Sequence, residues 1–519
     1  MTYEKSVEII KKGIENYSRK SILDKSMTYF YSIGDGLEER ARSMPHIIFL
    51  LIKWSMLTQR DGPEDITTDK FFYFADKIHQ IQHLAADIKP DGNLMLKLRV
   101  MLMQQTIPQK SFQNHIMTLI RQKFWFTKTG NKFYEDSFKR KTGVSLNDFY
   151  QVTMYLSALA QPAHPKTRSI PLQDIARHLS PSVKIEDITL VINIFGIRIE
   201  EMPAYFKKFE LSHNPKIEYF QETPLINKPI LIIDNFLLFI ENDLFLRSAS
   251  DFVSKFLKRN DILFKNHFGE TLERYVEEIF TKKNIDHHTE INIRNFYKDI
   301  GRNGKIVDFI IDGDCRIFLD SKAIEPNSLV ATSHDPEVLR SRLEASYIKA
   351  IFQGQECCHI LSDHFKFPKK ISYLLVVVHQ DHYISTGSRI EELIQHDLSN
   401  KIIEKFGYLP IPLENTYYIT IDDLERLAEY EFEKKGGIFE ILDSCLERDK
   451  LPETQYMLFK MHLDTYGAHQ RNKELKKLCM DAYSEQAETI TKNMTHWSSG
   501  RAQFHLSRQK INKLLSSNQ

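Results

Sequence analysis

Two aspartates and a lysine interrupt the apolar stretches found between residues 305 and 323. Asp308 lies within the first stretch, Asp320 and Lys322 follow the second, and residues 312–314 (Asp-Gly-Asp) separate the two. Apolar, β-branched runs on either side of an Asp-Gly pair predict a β-hairpin. Asp320 and Lys322 are two residues apart, so they share one face of a strand. Carboxylates among apolar neighbours are costly to desolvate without a partner, and a divalent cation is a suitable partner.

The length of the turn decides whether the two aspartates meet. If Asp308 pairs with Asp320, residues 313–315 form a three-residue loop, and if it pairs with Phe318, residues 312–314 form the loop. A two-residue Asp-Gly loop would place the two acids on opposite faces unless the hairpin contained a bulge. A shared metal site therefore predicts a three-residue turn or a bulged one.

The pattern formed by Asp308, eleven further residues and then Asp320-Ser321-Lys322 resembles the signature of the PD-(D/E)XK nucleases, the restriction-endonuclease-like superfamily. Val307 stands where the motif name has proline, a position that varies within the family. The resemblance covers roughly residues 225–430. It implies that the two aspartates bind Mg²⁺, with Mn²⁺ as an alternative, and that the lysine helps to position or activate the attacking water.

Many members of the superfamily add an acid from a preceding helix, and the segment at 268–280 is similar to that helix. We predict that Glu273 is this acid and a further metal ligand. Leu272, Val276 and Ile279 predict the buried stripe of the helix, and Glu273 lies at its edge. The alternative is a boundary residue that forms a surface ion pair.

The function implied by the resemblance is a Mg²⁺-dependent endonuclease that acts on DNA rather than RNA, in bacterial anti-phage defence. A phage or host protein would be its trigger, and a homo-oligomer is compatible with this reading. The alternatives are an RNase, or a non-catalytic scaffold of the same fold that binds nucleic acid or a protein. The sequence contains no Gly-x-x-x-x-Gly-Lys-Ser/Thr loop, so no motor motif accompanies the hairpin.

Two further features each allow two interpretations. Gln353 follows the hairpin in sequence and matches a position where relatives place a supporting polar residue, but a helix-surface residue is the favoured reading. Residues 121–141 interleave basic and aromatic side chains, which is typical of nucleic-acid surfaces. The favoured alternative for this stretch is a helix with its aromatics in the core and its lysines in water.

Composition limits the classes of function. The chain has 519 residues, is 42% hydrophobic and carries a net charge of +1, so a nucleic-acid surface must be a local patch. Its five cysteines show no metal-ligand spacing and no disulfide framework, which suits a reducing cytoplasm. The most apolar windows are too short to span a bilayer, so we expect no membrane partner.

The hydrophobic periodicity predicts three regions. Residues 1–215 are expected to form a large all-α N-terminal domain with a sensor or interaction function, and a short hairpin is expected near 229–239, in the region that follows. Residues 216–432 are expected to form an α/β nuclease core, a mixed sheet flanked by helices in the restriction-endonuclease-like arrangement. Residues 433–519 are expected to form a helical C-terminal extension.

Overall fold

The computed structural model describes residues 2–34, 36–86, 94–105, 114–161, 169–210, 215–313, 315–324, 326–364 and 370–516. The chain is mostly helical and divides into two compact units. The first comprises Met1–Gly92, Met101–Ile262 and Lys477–Gln519, and the second comprises Asn93–Val100 and Leu263–Lys476. Within the described residues, none of the helices combines the length and the apolar character needed to cross a membrane.

The described part of the chain up to residue 160 is helical, as predicted. Its helices are α1 (Tyr3–Ile14), α2 (Arg19–Ser32), α3 (Leu37–Ser43), α4 (Pro45–Met56), α5 (Thr68–Gln80), α6 (Gln82–Ala86), α7 (Leu94–Gln105), α8 (His115–Thr127), α9 (Lys132–Thr142) and α10 (Leu146–Ala160). Polar side chains such as those of Ser18 and Ser145 accept a backbone N–H at the helix starts. Helix α4 is buried all round, which explains its apolar sequence.

A small four-stranded sheet follows in the first unit. The elements are β1 (Ser169–Pro171), α11 (Leu172–Leu179), α12 (Ile185–Phe195), β2 (Gly196–Ile197), α13 (Met202–Lys207), α14 (Pro215–Tyr219), β3 (Ile230–Ile233), β4 (Phe236–Phe239) and α15 (Asn242–Asn260). The predicted hairpin is present as β3 and β4, and the sheet order is β1-β4-β3-β2. The expectation of an all-α N-terminal region was wrong, because β1 and β2 are too short to give a periodic signal.

The second unit contains a five-stranded sheet. Its elements are α16 (Phe264–Lys282), β5 (His288–Thr289), α17 (Glu290–Asp299), β6 (Phe309–Asp312), β7 (Arg316–Lys322), α18 (Ser328–Thr332), α19 (Pro336–Leu343), α20 (Lys349–His364), β8 (Ser372–Val378), α21 (Gly387–Leu393), α22 (Leu398–Phe406), β9 (Thr416–Thr420), α23 (Ile421–Glu433), α24 (Gly437–Asp449) and α25 (Phe459–Tyr466). The sheet order is β5-β6-β7-β8-β9. Strands β5, β6 and β7 pair antiparallel, whereas β7, β8 and β9 pair parallel. The predicted mixed sheet flanked by helices is therefore confirmed.

The sequence explains the centre of this sheet. Every residue of β8 is buried, as expected for a strand with helices on both faces. A π-helical turn at Glu344–Ile348 joins α19 to α20 into one continuous helical segment. Helix α23 begins with a capping box in which the Thr420 hydroxyl accepts the Asp423 N–H.

Helices α26 (Lys473–Ser499) and α27 (Arg501–Ser516) complete the described chain, in agreement with the predicted helical C-terminal extension. Helix α27 packs on α11 and α12 within the first unit. There Ile511 and Leu515 are buried, so the helix is held by an apolar face.

Candidate metal centre

The hairpin has the register that brings Asp308 opposite Asp320. Phe309 pairs with Leu319 and Asp312 pairs with Arg316, which leaves residues 313–315 as the turn. Asp314 itself lies outside the described residues. The structure thus selects one of the two three-residue turns that the sequence allowed. The predicted pairing of the acid-bearing positions is confirmed at the level of the backbone.

Asp308 is fixed by the opposite strand. The backbone N–H of Ser321 donates to Asp308 Oδ2 at 2.6 Å, and the Ser321 hydroxyl donates to the same oxygen. Burial raises the pKa of Asp308, while the two Ser321 hydrogen bonds and Lys322 lower it. The carboxylate therefore keeps one orientation, with its second oxygen free of these two bonds.

Asp320 is completely buried and has two polar neighbours. Its Oδ1 accepts a hydrogen bond from Gln353 Nε2 at 3.0 Å, and its Oδ2 forms an ion pair with Lys322. Gln353 Oε1 also accepts from Lys322 Nζ at 3.4 Å, so one amide holds both charged groups. Burial, and then Asp308, raise the pKa of Asp320 to about 7 despite the opposing effect of Lys322.

Three carboxylates converge beside this pair. Oxygens of Glu273, Glu290 and Asp308 all lie within 4.8 Å of one another, and each residue is partly buried. Burial, and then Asp308 and Glu290, raise the pKa of Glu273 to about 7. Negative charge is therefore concentrated where water cannot fully screen it.

Helix α16 places Glu273 in this group. Phe268, Leu272, Val276 and Phe280 lie on its buried face. Phe280 contacts the ring of Phe309 edge-on with centroids 5.6 Å apart, which anchors the helix to β6. Glu273 lies two turns before this anchor, at the edge of the buried face as the sequence predicted.

Glu290 was missed by the sequence analysis. Strand β5 has only two residues and ends at Thr289, and α17 begins at Glu290. Thr289 and Asn292 form a capping box, which is the local signal for this helix start. Because Thr289 pairs with Phe309 in the antiparallel ladder, Glu290, the residue after the strand, lies beside Asp308. Glu290 also forms an ion pair with Arg294 on α17.

The donor set fits a hard divalent cation. Carboxylate oxygens are the ligands that Mg²⁺ and Mn²⁺ prefer, and clustered acids with raised pKa values lose their mutual repulsion when a cation binds. Glu273, Glu290 and Asp308 would hold such an ion. The predicted participation of Asp320 stays a prediction, because its carboxylate is engaged by Lys322 and Gln353 in this structure.

Two other predicted features have clear outcomes. The favoured reading of Gln353 as a simple surface residue was wrong, since it contacts both Asp320 and Lys322. In the stretch from 121 to 141, Trp125, Phe126, Tyr134 and Phe138 are buried, whereas Lys139, Arg140 and Lys141 are exposed. The core reading of these aromatics is confirmed, and they cannot stack on nucleobases in this conformation.

The fold and the site together define a mixed α/β domain with a carboxylate cluster next to a buried aspartate–lysine pair. Comparison with protein-family models, with curated proteins and with solved structures found no match. The chemistry of the site is therefore argued from its own residues and geometry.

Proposed function

We propose that this chain is a Mg²⁺-dependent nuclease of the PD-(D/E)XK type that hydrolyses phosphodiester bonds. The observation that carries the proposal is that Glu273 of α16 and Glu290 of α17 converge with Asp308 within 4.8 Å, beside the hairpin that presents Asp320 and Lys322. A salt-bridged surface hairpin would not need a third and fourth acid from two separate helices. The restriction-endonuclease-like arrangement of the second unit is part of this proposal.

The protein side chains would divide the work between them. When bound, Mg²⁺ would supply Lewis-acid polarisation of the phosphate and stabilise the charge that develops in the transition state. Asp308 stays oriented because Ser321 holds one of its oxygens. Lys322 is held between Asp320 and Gln353, and 21% of its side chain is exposed, so its ammonium can orient an attacking water or contact a phosphate oxygen.

DNA is the proposed substrate, with anti-phage defence as the proposed setting and a phage or host protein as the proposed trigger. These three points are supported by the resemblance of the hairpin to nucleases of that superfamily. The near-zero net charge means that phosphate contacts must come from a local surface, which agrees with a triggered or positioned enzyme more than with a general nucleic-acid binder.

A cleavage assay tests the proposal directly. Full-length protein is incubated with supercoiled plasmid, circular single-stranded DNA or RNA, in Mg²⁺, in Mn²⁺ or in EDTA. We expect cleavage of DNA that requires the cation and is lost in Asp308→Asn. Asp299→Asn removes an exposed carboxylate from the far end of α17 and serves as the matched control. Cleavage of RNA alone would identify an RNase.

The non-catalytic alternative gives a different pattern in the same experiment. A scaffold would bind nucleic acid or a protein without cutting, with and without Mg²⁺. Equal cleavage by wild type, Asp308→Asn and Asp299→Asn would show a contaminating nuclease and would remove the support for this site.

A further inference from the structure

A second polar site lies in the first unit, where a cavity of about 450 Å³ opens between α8, α9, α10 and α26. This volume lies within the range of small-molecule sites in proteins. Lys123, Lys128 and Lys132 line the cavity together with Glu135 and Glu485. The three lysines come from the basic stretch whose aromatics turned out to belong to the core.

The charges around the cavity are not balanced. In the described part of the chain none of the three lysines forms an ion pair. The three lysines of the lining outnumber its two carboxylates, and one of these, Glu135, accepts the backbone N–H of Leu146 through its Oε2 at 2.9 Å. Burial has the largest effect on the pKa of Lys123 and lowers it, while Glu485 raises it and Lys128 lowers it.

The backbone adds to this field. Helix α9 begins at Lys132 on the wall of the cavity, with Asn131 as its cap and Gly130 in the left-handed conformation at φ +72°. A helix N-terminus carries a partial positive charge and attracts anions. Three ammonium groups around a helix start together favour a ligand with more than one negative charge, and lysine is a common binder of phosphate.

Two amides of the cavity wall are also incompletely bonded. Gln486 is 7% exposed, and its buried Nε2 has no hydrogen-bond partner among the described residues. The same holds for the buried Oε1 of Gln151. A buried amide without a partner is unfavourable, and a ligand with complementary polar groups would relieve this. The wall thus presents one donor and one acceptor in addition to its cations.

We propose that this cavity binds a small organic phosphate, a molecule of nucleotide size with one or more phosphate groups and a polar body. The lysines would contact the phosphates, and the amides of Gln151 and Gln486 would contact the body. This inference does not depend on the nuclease proposal, because binding can be measured without cleavage.

Calorimetric titration of the full-length protein in EDTA tests the proposal, with ADP, inorganic pyrophosphate and adenosine as probes. We expect ADP to bind more tightly than pyrophosphate and adenosine to bind weakest. Lys128→Gln with Lys132→Gln should weaken ADP binding by about tenfold or more, since two exposed charged contacts together contribute about that factor. Glu485→Gln should tighten binding by about two- to fivefold, because it removes an opposing exposed charge.

The matched control is Lys139→Gln with Lys141→Gln, which removes the same charge from the exposed last turn of α9 outside the cavity. It should leave ADP binding unchanged, and thermal denaturation checks that both double variants are folded. Absence of binding by both ADP and pyrophosphate would overturn the proposal. Equal weakening by the two lysine pairs, or weaker binding in Glu485→Gln, would also overturn it. Equal binding of ADP and pyrophosphate would refute the contact with a polar body.

Discussion

The acidic centre of the second unit and a buried ion pair of the first differ in how far their buried charges are compensated by opposite charges. In the first unit, Lys53 Nζ lies 2.9 Å from Glu218 Oε1, and both side chains are about 95% buried. Lys53 also donates to Gln221 and to the Phe209 carbonyl, and Trp54 Nε1 donates to Glu218. Each buried charge there has an opposite charge and further hydrogen bonds.

The acidic centre is less well balanced, since Arg294 pairs with Glu290 alone among its three acids. Glu273, Glu290 and Asp308 are like charges held within 4.8 Å, and burial, followed by the charges of Asp308 and Glu290, raises the pKa of Glu273. A balanced buried pair contributes to the specificity of a core, whereas an unbalanced cluster is destabilising until a ligand or proton arrives. The comparison favours a structural role for the first and supports the proposed cation site at the second.

The largest expected effect is on cleavage. Asp308→Asn and Asp320→Asn should each reduce phosphodiester cleavage by at least about 10³-fold, as expected for groups that act as a unit. Without metal, the thermal stability of Asp308→Asn should hold or rise, because one of several facing carboxylates is neutralised, whereas Asp320→Asn removes the ion-pair partner of Lys322 and should be mildly destabilising. Plasmid cleavage measures the activity, and thermal denaturation measures the stability. A large loss of stability in both variants would mean that the two acids stabilise the fold rather than serve cleavage.

Removing one member of the balanced pair should be strongly destabilising. Lys53→Met leaves Glu218 buried without its cation and should lower the free energy of unfolding by about 3–5 kcal/mol. The double variant with Glu218→Gln should recover much of that loss, since no buried charge remains. Chemical denaturation gives the free energy of unfolding of the wild type, of Lys53→Met and of the double variant. An unchanged stability of Lys53→Met would contradict the structural role of the Lys53–Glu218 pair.

A smaller effect is expected at Gln353, which forms hydrogen bonds with both Asp320 and Lys322 and so positions them. Gln353→Ala should reduce cleavage by roughly 10–100-fold, as found for residues that orient metal ligands. The pH profile of cleavage should shift as well, because the amide donates to the Asp320 carboxylate, whose pKa is raised to about 7. Rescue by Gln353→Asn would be partial, and a full loss of folding would mean that the residue is structural.

The smallest expected effect is the pH dependence of stability at Glu273. Its folded pKa of about 7 lies above the ordinary value of 4.5. The folded state therefore keeps a proton that the unfolded chain releases, so stability falls as pH rises across that window. Without metal, Glu273→Gln should match wild type near pH 4 and melt roughly 2 °C higher near pH 8. A constant difference at all pH values would contradict this reading.

The sequence predicted the acidic hairpin well because its evidence is local. The apolar neighbours of the aspartates define the two strands. The two aspartates face each other only if the turn has an odd number of residues or contains a bulge. The register in the structure gives such a turn. Glu273 could be placed at the edge of its helix from the buried stripe alone.

What the sequence did not predict depends on packing between distant segments. Glu290 arrives beside Asp308 through β5, a strand of two residues that gives no periodic signal. The pairing of the β3–β4 hairpin with β1 and β2 is likewise set by tertiary contacts. Gln353 could be read as a surface residue because only the folded structure brings α20 against the hairpin.

Binding of Mn²⁺ to metal-free protein tests the central claim most directly. Calorimetry near pH 6 and near pH 8 should show tighter binding at the higher pH, with release of protons, because raised carboxyl pKa values must be overcome. Asp308→Asn and Glu290→Gln should weaken binding by at least about tenfold, and Asp299→Asn should bind as wild type does. Equal affinity in all four proteins, or an affinity that does not change with pH, would contradict a cation site at Glu273, Glu290 and Asp308.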